Sequence, residues 1–301
     1  MRPVILIPAW SFYLLGASAN PPHILGRPGS LPSLIPFACL TAILITAYLL
    51  NQVFDRESDE QNDKCPFLAR GIFRTRTLVL MSVFFFLAAS HLFHKLDTAA
   101  RPPLLLALLM SLFYSLPPVR LCARPFLDLL ANAVGYGGVA FVIGFNTVGG
   151  STTDGAWLSA PYMLLVASTF LHTTILDEKG DRAANKISTT VLIGVDRSLV
   201  LAAALHALAV AAALLAANPT TILITVLSLP AAAASLFKRG KRTSSFVIQV
   251  NTLIVTIAAS VAWPAYLLLT VPLIMLSRYY HARRFGISYP GPGTREAERT
   301  A

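Results

Sequence analysis

The sequence predicts an all-α fold: a polytopic membrane bundle of about nine transmembrane helices around a central cavity. Three observations predict it. Only 13% of the 301 residues are charged and mean hydropathy is +0.65, whereas a soluble globular domain carries about 25% charged residues. Apolar runs recur along the chain, near the roughly 20 residues that cross a bilayer core about 30 Å thick. Those runs lack strand alternation and are rich in Ala, Leu and Ile, so helices rather than barrel strands satisfy the backbone in lipid.

The predicted spans are 4–19, 32–53, 76–94, 102–117, 126–147, 157–177, 198–217, 220–237 and 245–277. Turn chemistry separates them at Asn20-Pro21-Pro22, Pro117-Pro118, the polar run from Gly149 to Gly155, and Asn218-Pro219. The last span is too long for one straight crossing, so Pro264 or the Ser260 region kinks it or splits it into two helices. Arg2, an apolar run and Ala17-Ser18-Ala19 resemble a secretory signal. Pro8 and Trp10 interrupt that run, and a retained first helix is the better reading. Residues 1–285 thus read as one integral-membrane domain, and 286–301, with Pro290 to Gly293, as a flexible tail.

Net charge is +10, but the basic residues sit between apolar spans, which the positive-inside rule explains and nucleic-acid binding does not. With nine spans, sixteen of the 24 Lys and Arg fall on the side holding Arg56, Arg120 and Lys186, which predicts that side as cytoplasmic. Cys39, Cys65 and Cys122 are scattered without CxxC spacing, so neither a disulfide framework nor a zinc site is indicated.

The acidic residues carry the strongest signal. The chain has only 14. Asp55, Glu57, Asp59, Glu60 and Asp63 lie in one short stretch, and Asp177, Glu178 and Asp181 in another, each at the end of an apolar span. Asn51, Asp55 and Asp59 are spaced by four, so they form one stripe on a helix, and Asp177 and Asp181 repeat the spacing. Like charges at i, i+4 repel, so something must offset them, and a bound divalent cation is the natural candidate. On that reading Asp→Asn relieves strain in the metal-free protein. Both stripes are predicted on the cytoplasmic side. Oxygen donors without clustered thiolates or imidazoles suit Mg²⁺, which shares carboxylates with substrate phosphates. Topology alone would also put solvated charges at helix ends. Two matched stripes on one side favour a shared ligand.

Two further segments are ordinary in isolation. Tyr114-Ser115-Leu116-Pro117-Pro118-Val119-Arg120 reads as a belt aromatic, a helix stop and a positive-inside Arg. Asn132 to Gly138 reads as close helix packing by small residues.

Taken together, these elements resemble the UbiA superfamily of intramembrane prenyltransferases. Asn51 to Asp59 is similar to its first N-x-x-x-D-x-x-x-D motif. Asp177 to Asp181 is similar to its second D-x-x-x-D motif, with Lys186 and Thr189 downstream. Tyr114 to Arg120 is similar to its Tyr-Ser-x-Pro-Pro-x-Arg segment, followed by Asp128 and Asn132. The chain departs at Gln52, where many members have Asp, at Cys65-Pro66, where Arg-Pro is common, and at Cys122, where Lys is frequent.

The resemblance implies Mg²⁺-dependent transfer of a prenyl group from a polyprenyl diphosphate to a lipophilic acceptor, in contact with membrane lipid. Asp55, Asp59, Asp177 and Asp181 would be catalytic and, with Asn51, hold the metal. Lys64, Arg70, Lys179, Arg182 and Lys186 would grip the diphosphate. Tyr114, Asn132, Tyr136 and Phe145 would line the prenyl and carbocation pocket. A terpene cyclase on the same scaffold, a transporter with acidic gating residues and a non-catalytic scaffold remain as alternatives.

Opposed membrane faces give the first test. Cysteines introduced near Asp63 and near Thr189 are expected to react with an impermeant thiol reagent from the same face, and one near Thr152 from the other. Labelling of the first two from opposite faces removes a site shared by the two stripes.

Overall fold

The computed structural model describes residues 3–19, 33–62 and 73–286, apart from the Phe285 side chain. Lys64, Arg70 and tail residues 287–301 lie outside that range. Every regular element among the described residues is helical. A short 3₁₀ turn (Pro3–Leu6) leads into α1 (Ile7–Ser18), then α2 (Leu34–Phe54), α3 (Arg56–Gln61), α4 (Thr75–Phe93) and α5 (Arg101–Ser115). Next come α6 (Leu127–Asn132), a π-helical stretch (Ala133–Val139) and α7 (Ala140–Thr147), which together make one span. The second half holds α8 (Thr152–Ala183), α9 (Thr189–Ile193), α10 (Val195–Leu215), α11 (Pro219–Phe237), α12 (Lys241–Ala262) and α13 (Tyr266–Phe285).

Seven of these spans are long and apolar enough to cross a membrane: α2, α4, the α6–α7 span, α8, α10, α11 and α12. Residues 3–18 and α5 are shorter apolar helices. Large apolar side chains face outward along the bundle, among them Leu80, Phe84, Leu215, Leu223 and Val261. Water would make such a surface aggregate; lipid tails are its natural solvent. The chain is an integral membrane protein. The long final span is not one kinked helix. It splits at Trp263-Pro264-Ala265, where proline cannot continue the ladder, and α13 follows as a separate helix.

The longest helix, α8, runs through the middle of the fold and packs against α10, the π stretch, α12, α7 and α3. α2 packs on α4 and α5, and α1 on α7 and α12. The α1–α7 crossing is unusually close. A Cβ on Gly144 would lie 1.8 Å from the Tyr13 carbonyl oxygen, and one on Gly16 would lie 2.0 Å from that of Phe141. Small residues allow such backbone approach in membranes, where dispersion contacts rather than water exclusion drive helix association. The crossing belongs to the half of the bundle away from the ends of α2 and α8. The Asn132–Gly138 segment packs closely as expected, since a Cβ on Gly137 would lie 2.6 Å from the Tyr162 carbonyl oxygen, and it also enters the π turn, a feature found mostly as a local bulge within α-helices.

Backbone has no rotamer with which to yield, so Gly144→Ala is expected to destabilise the protein by about 1–3 kcal/mol. At Gly135 a Cβ would meet nothing within 4 Å, and Gly135→Ala is expected to be neutral or mildly stabilising. Unfolding in SDS of both variants checks the contrast. Equal loss in the two would refute the close-crossing account.

Candidate active site

The acidic stripe of α2 is built by near-continuous helix. Asp55 ends α2 and starts α3, yet its N–H donates to the Asn51 carbonyl at 2.8 Å and its own carbonyl accepts the Asp59 N–H at 2.8 Å. Asn51, Asp55 and Asp59 therefore keep the i, i+4 alignment, and the Asn51 Nδ2 donates to the Asp55 Oδ2 at 3.0 Å. α8 continues six residues past the predicted end at 177, so Asp177 and Asp181 both stand on its last turns.

The two stripes converge. Lys186, in the loop after α8, places Nζ 2.8 Å from the Asp55 Oδ2 and 3.6 Å from the Asp181 Oδ1. Asp55 also accepts from the Arg120 guanidinium at 3.0 Å. Ser58 on α3 donates to the Asp181 carboxylate. Asn62 grips the end of α8 from both sides of its amide, with Nδ2 on the Asp177 carbonyl at 3.1 Å and Oδ1 accepting the Gly180 N–H at 3.0 Å. Gly180 leaves room for this grip, since a Cβ there would sit 2.3 Å from the Asn62 amide.

Lys186 is positioned by its neighbours. Its backbone N–H donates to the Asp181 carbonyl at 2.8 Å. Three residues on, the buried Asp128 of α6 accepts from both the Thr189 N–H, at 2.8 Å, and the Thr189 hydroxyl. That clamp fixes the loop against α6. Arg120 reaches Asp55 from a left-handed backbone position, φ 40° and ψ 62°, just after the proline turn. Asn132, one turn after Asp128, donates to the Tyr114 hydroxyl at 3.1 Å.

The electrostatics follow from burial. Burial alone would push the Asp55 carboxyl up, but the Lys186 charge, with Arg120 behind it, holds it below the ordinary carboxylate value. Burial also works against the Lys186 ammonium, yet Asp55 and then Asp181 hold its pKa above the usual lysine range. Burial, followed by the nearby Asp55 charge, pushes the Cys122 thiol up to about 12. It stays protonated at neutral pH and offers no thiolate to a metal or an electrophile.

Several predicted members stand apart. Arg182 is 60% exposed and paired with Glu178 at 2.7 Å on the outer face of α8. Lys179 is exposed too. Neither joins Lys186, because the helical turn that brings Asp181 inward carries its flanking cations outward. Phe145 is buried in the opposite half, stacked on Phe141 at 6.2 Å and beside Gly150 in the far turn. Asn132, Tyr136 and Tyr114 do lie together. Asn132 and Tyr136 line a cavity of about 400 Å³ with Phe12, Tyr48 and Asn251, and a second one of about 160 Å³ with Asn51 and Tyr114. Arg120, Ser58 and Asn62 were not predicted as members of the site. The Arg120 side chain looked like topology, and polar residues near a helix end carry no distinctive spacing.

The offset expected from a metal is thus supplied in part by the chain itself, through Lys186 and Arg120. Among the described residues no three His, Cys, Asp or Glu side chains gather as a metal-holding group. The expectation that Asp→Asn relieves strain fails at Asp55 for the same reason, since the substitution would strip a buried ammonium of its nearest partner.

Linkage gives the pH window. Asp55, depressed in the fold, contributes stability present above its unfolded value and lost as pH falls through its folded one. Lys186, raised in the fold, contributes stability present below its unfolded value and lost as pH rises through its folded one. Lys186→Met is therefore expected to destabilise by about 3 kcal/mol across neutral pH. The gap from wild type should shrink below about pH 4, where carboxylates protonate. Thermal unfolding in detergent against pH checks this, and a gap that stays constant down to acid pH would refute it.

The geometry can be set beside known proteins. The sequence profile described as the UbiA prenyltransferase family matches residues 5–245. No curated protein matches the chain in sequence. A UbiA homologue from Archaeoglobus fulgidus, solved bound to GPP and Mg²⁺, superposes with a TM-score of 0.67 at 20% identity, over 87% of this chain and 97% of that one. The apo structure of a UbiA homologue from Aeropyrum pernix K1 gives 0.67 at 18% identity, over 87% and 98%. A digeranylgeranylglyceryl phosphate synthase structure gives 0.59 at 19% identity, over 85% and 92%. At such identities the structures share the fold; the profile, spanning most of the chain, settles its kinship, and the chain belongs to the UbiA prenyltransferase family.

Proposed function

We propose that the protein transfers a prenyl group from a polyprenyl diphosphate to a lipophilic acceptor within the membrane, with Mg²⁺ as cofactor and both acidic stripes on the cytoplasmic side. One observation carries this reading. Two acidic helix ends, joined by the largely buried Lys186, stand beside an apolar cavity whose wall holds Asn132 and Tyr136. Such a site matches a substrate with a charged head and a long apolar tail. The solved Archaeoglobus homologue, carrying GPP and Mg²⁺ on the same fold, supports the pairing.

The donor set fits the metal. Asp55, Asp59, Asp177 and Asp181, with the Asn51 amide, offer only hard oxygen donors, which Mg²⁺ prefers. With no three-carboxylate group preformed among the described residues, phosphate oxygens of the substrate would complete the coordination, as is common for Mg²⁺. Bound there, the ion supplies charge neutralisation of the departing diphosphate.

The remaining work falls to the chain. Lys186 and Arg120 provide cations at the mouth and can exchange a carboxylate oxygen for a phosphate oxygen through charge-assisted hydrogen bonds. Thr189 and Asp128 hold the Lys186 loop in place. Tyr114, Tyr136 and Tyr48 present aromatic faces beside the cavities, where an allylic cation would be stabilised. The apolar walls exclude water that would otherwise capture it.

Labelled prenyl diphosphates incubated with purified protein, Mg²⁺ and a membrane lipid extract are expected to give a prenylated lipid and free diphosphate, and EDTA to abolish both. Asp55→Asn and Asp181→Asn are each expected to lower turnover by at least about a hundredfold, or 2.7 kcal/mol. Near-wild-type turnover in both folded variants, or full turnover without metal, would overturn the proposal.

A further inference from the structure

We propose that Asn251 is a specificity-determining residue of the larger cavity, and that its amide oxygen receives a hydrogen bond from a hydroxyl on the acceptor. The ligand class rests on the prenyl-transfer reading; the hydrogen-bonding argument rests on the cavity alone.

Most of the wall of that cavity is apolar, but one side is not. Thr169 and Thr173 of α8 face it with Asn251 and Thr252 of α12. A prenyl tail has no group that could use this patch. Asn251 is 3% exposed, and its Nδ2 donates to the Thr169 Oγ1 at 2.7 Å. Thr169 in turn donates to the Leu165 carbonyl at 2.8 Å. A hydroxyl has one hydrogen. With that hydrogen on α8, Thr169 accepts from Asn251, and this arrangement satisfies more of the amide than its flip, which would leave both Nδ2 hydrogens without a partner.

The Asn251 Oδ1 is then the end of the amide away from Thr169, on a residue of the cavity wall, and it has no hydrogen-bond partner. A buried carbonyl left unpaired is unfavourable, and a native orphan of this kind asks for a partner the apo protein lacks. The oxygen can accept and cannot donate, so it selects a donor. An ether or ketone in the same place would set oxygen against oxygen. The oxygen is covered in the ligand-free arrangement, so a ligand that reaches it has to displace the side chains over it. Asn132 and Tyr136 border the same cavity, which puts a molecule held at Asn251 within the chamber that reaches the charged mouth.

The test is a matched pair of probes, 1-naphthol and 1-methoxynaphthalene, binding to the full chain in detergent, with partition into empty micelles subtracted. Wild type is expected to bind the alcohol at least about tenfold more tightly, or 1.4 kcal/mol. Asn251→Leu is expected to bring the two within about threefold, or 0.65 kcal/mol, mainly by weakening the alcohol. Thr169→Val frees the amide to turn its NH₂ inward and should also shrink the preference, which decides the matter if the leucine variant does not fold. Equal affinities in wild type, no binding of the alcohol, or a preference that survives in the folded variants would overturn the proposal. Failure to release diphosphate from any prenyl diphosphate would instead count against prenyl transfer and leave this binding preference intact.

Discussion

Lys186 sits almost out of water between Asp55 and Asp181, and much of the functional end of the protein is arranged around that ammonium group. Burying a charge is expensive unless its partners are close and themselves satisfied. Here the partners come from distant parts of the sequence, one closing α2 and one closing α8. The pair therefore ties two helix ends that chain connectivity leaves independent. Asp128, Thr189 and Asn62 are the supports this arrangement needs: the first two hold the loop bearing Lys186, and the third holds α3 against the last turn of α8. Removal of any one support loosens the geometry on which charge pairing depends.

Periodicity made part of this legible. Asn51, Asp55 and Asp59 fall on one helical face whatever the tertiary structure, and Asp177 and Asp181 likewise, so the stripes could be read from spacing. That the stripes share one end of the bundle followed from counting apolar spans between them. The cations were less readable. Lys179, Arg182 and Lys186 look equivalent in a string, and only the observed end of α8 at Ala183 separates them. The first two ride the outer face of a helix, while the third leaves it and folds back. Arg120 carried an innocent explanation as a positive-inside charge; a left-handed backbone position, which no composition reveals, swings it onto Asp55. Ser58 and Asn62 are common polar residues whose importance lies wholly in what they face.

Phe145 failed as a pocket residue for a reason that bears on the whole design. Aromatic rings form a chain through the bundle. Phe12, on the cavity wall, meets Tyr162 edge-on at 5.6 Å; Tyr162 tilts against Phe141 at 5.2 Å; and Phe141 stacks on Phe145 at 6.2 Å. Beyond Phe12 the space is filled, and the close crossing of Gly16 and Gly144 seals it with backbone. Packing of crystalline density has no room for a ligand. The far half of the bundle is therefore closed along the α1–α7 crossing, and the cavity of about 410 Å³ between Ser18, Ile224 and Ala258 at that end shares no lining residue with the cavities beside Asn132 and Tyr136.

That asymmetry links the membrane to the chemistry. A cavity open through the far half would conduct water and ions past the acidic site, and a cationic intermediate would not survive there. With the α1–α7 crossing closed, the charged mouth is the polar end of a largely apolar chamber. Tyr48, Asn132 and Tyr136 border both cavities, so they stand where two apolar ligands would meet, directly beneath Asn51 and Tyr114. The polar patch at Asn251 marks only the larger of the two. Two cavities joined at three shared residues, the smaller reaching Asn51 and Tyr114 and the larger reaching Asn251, would under the proposed prenyl transfer give two unlike molecules separate places to lie and one place to react.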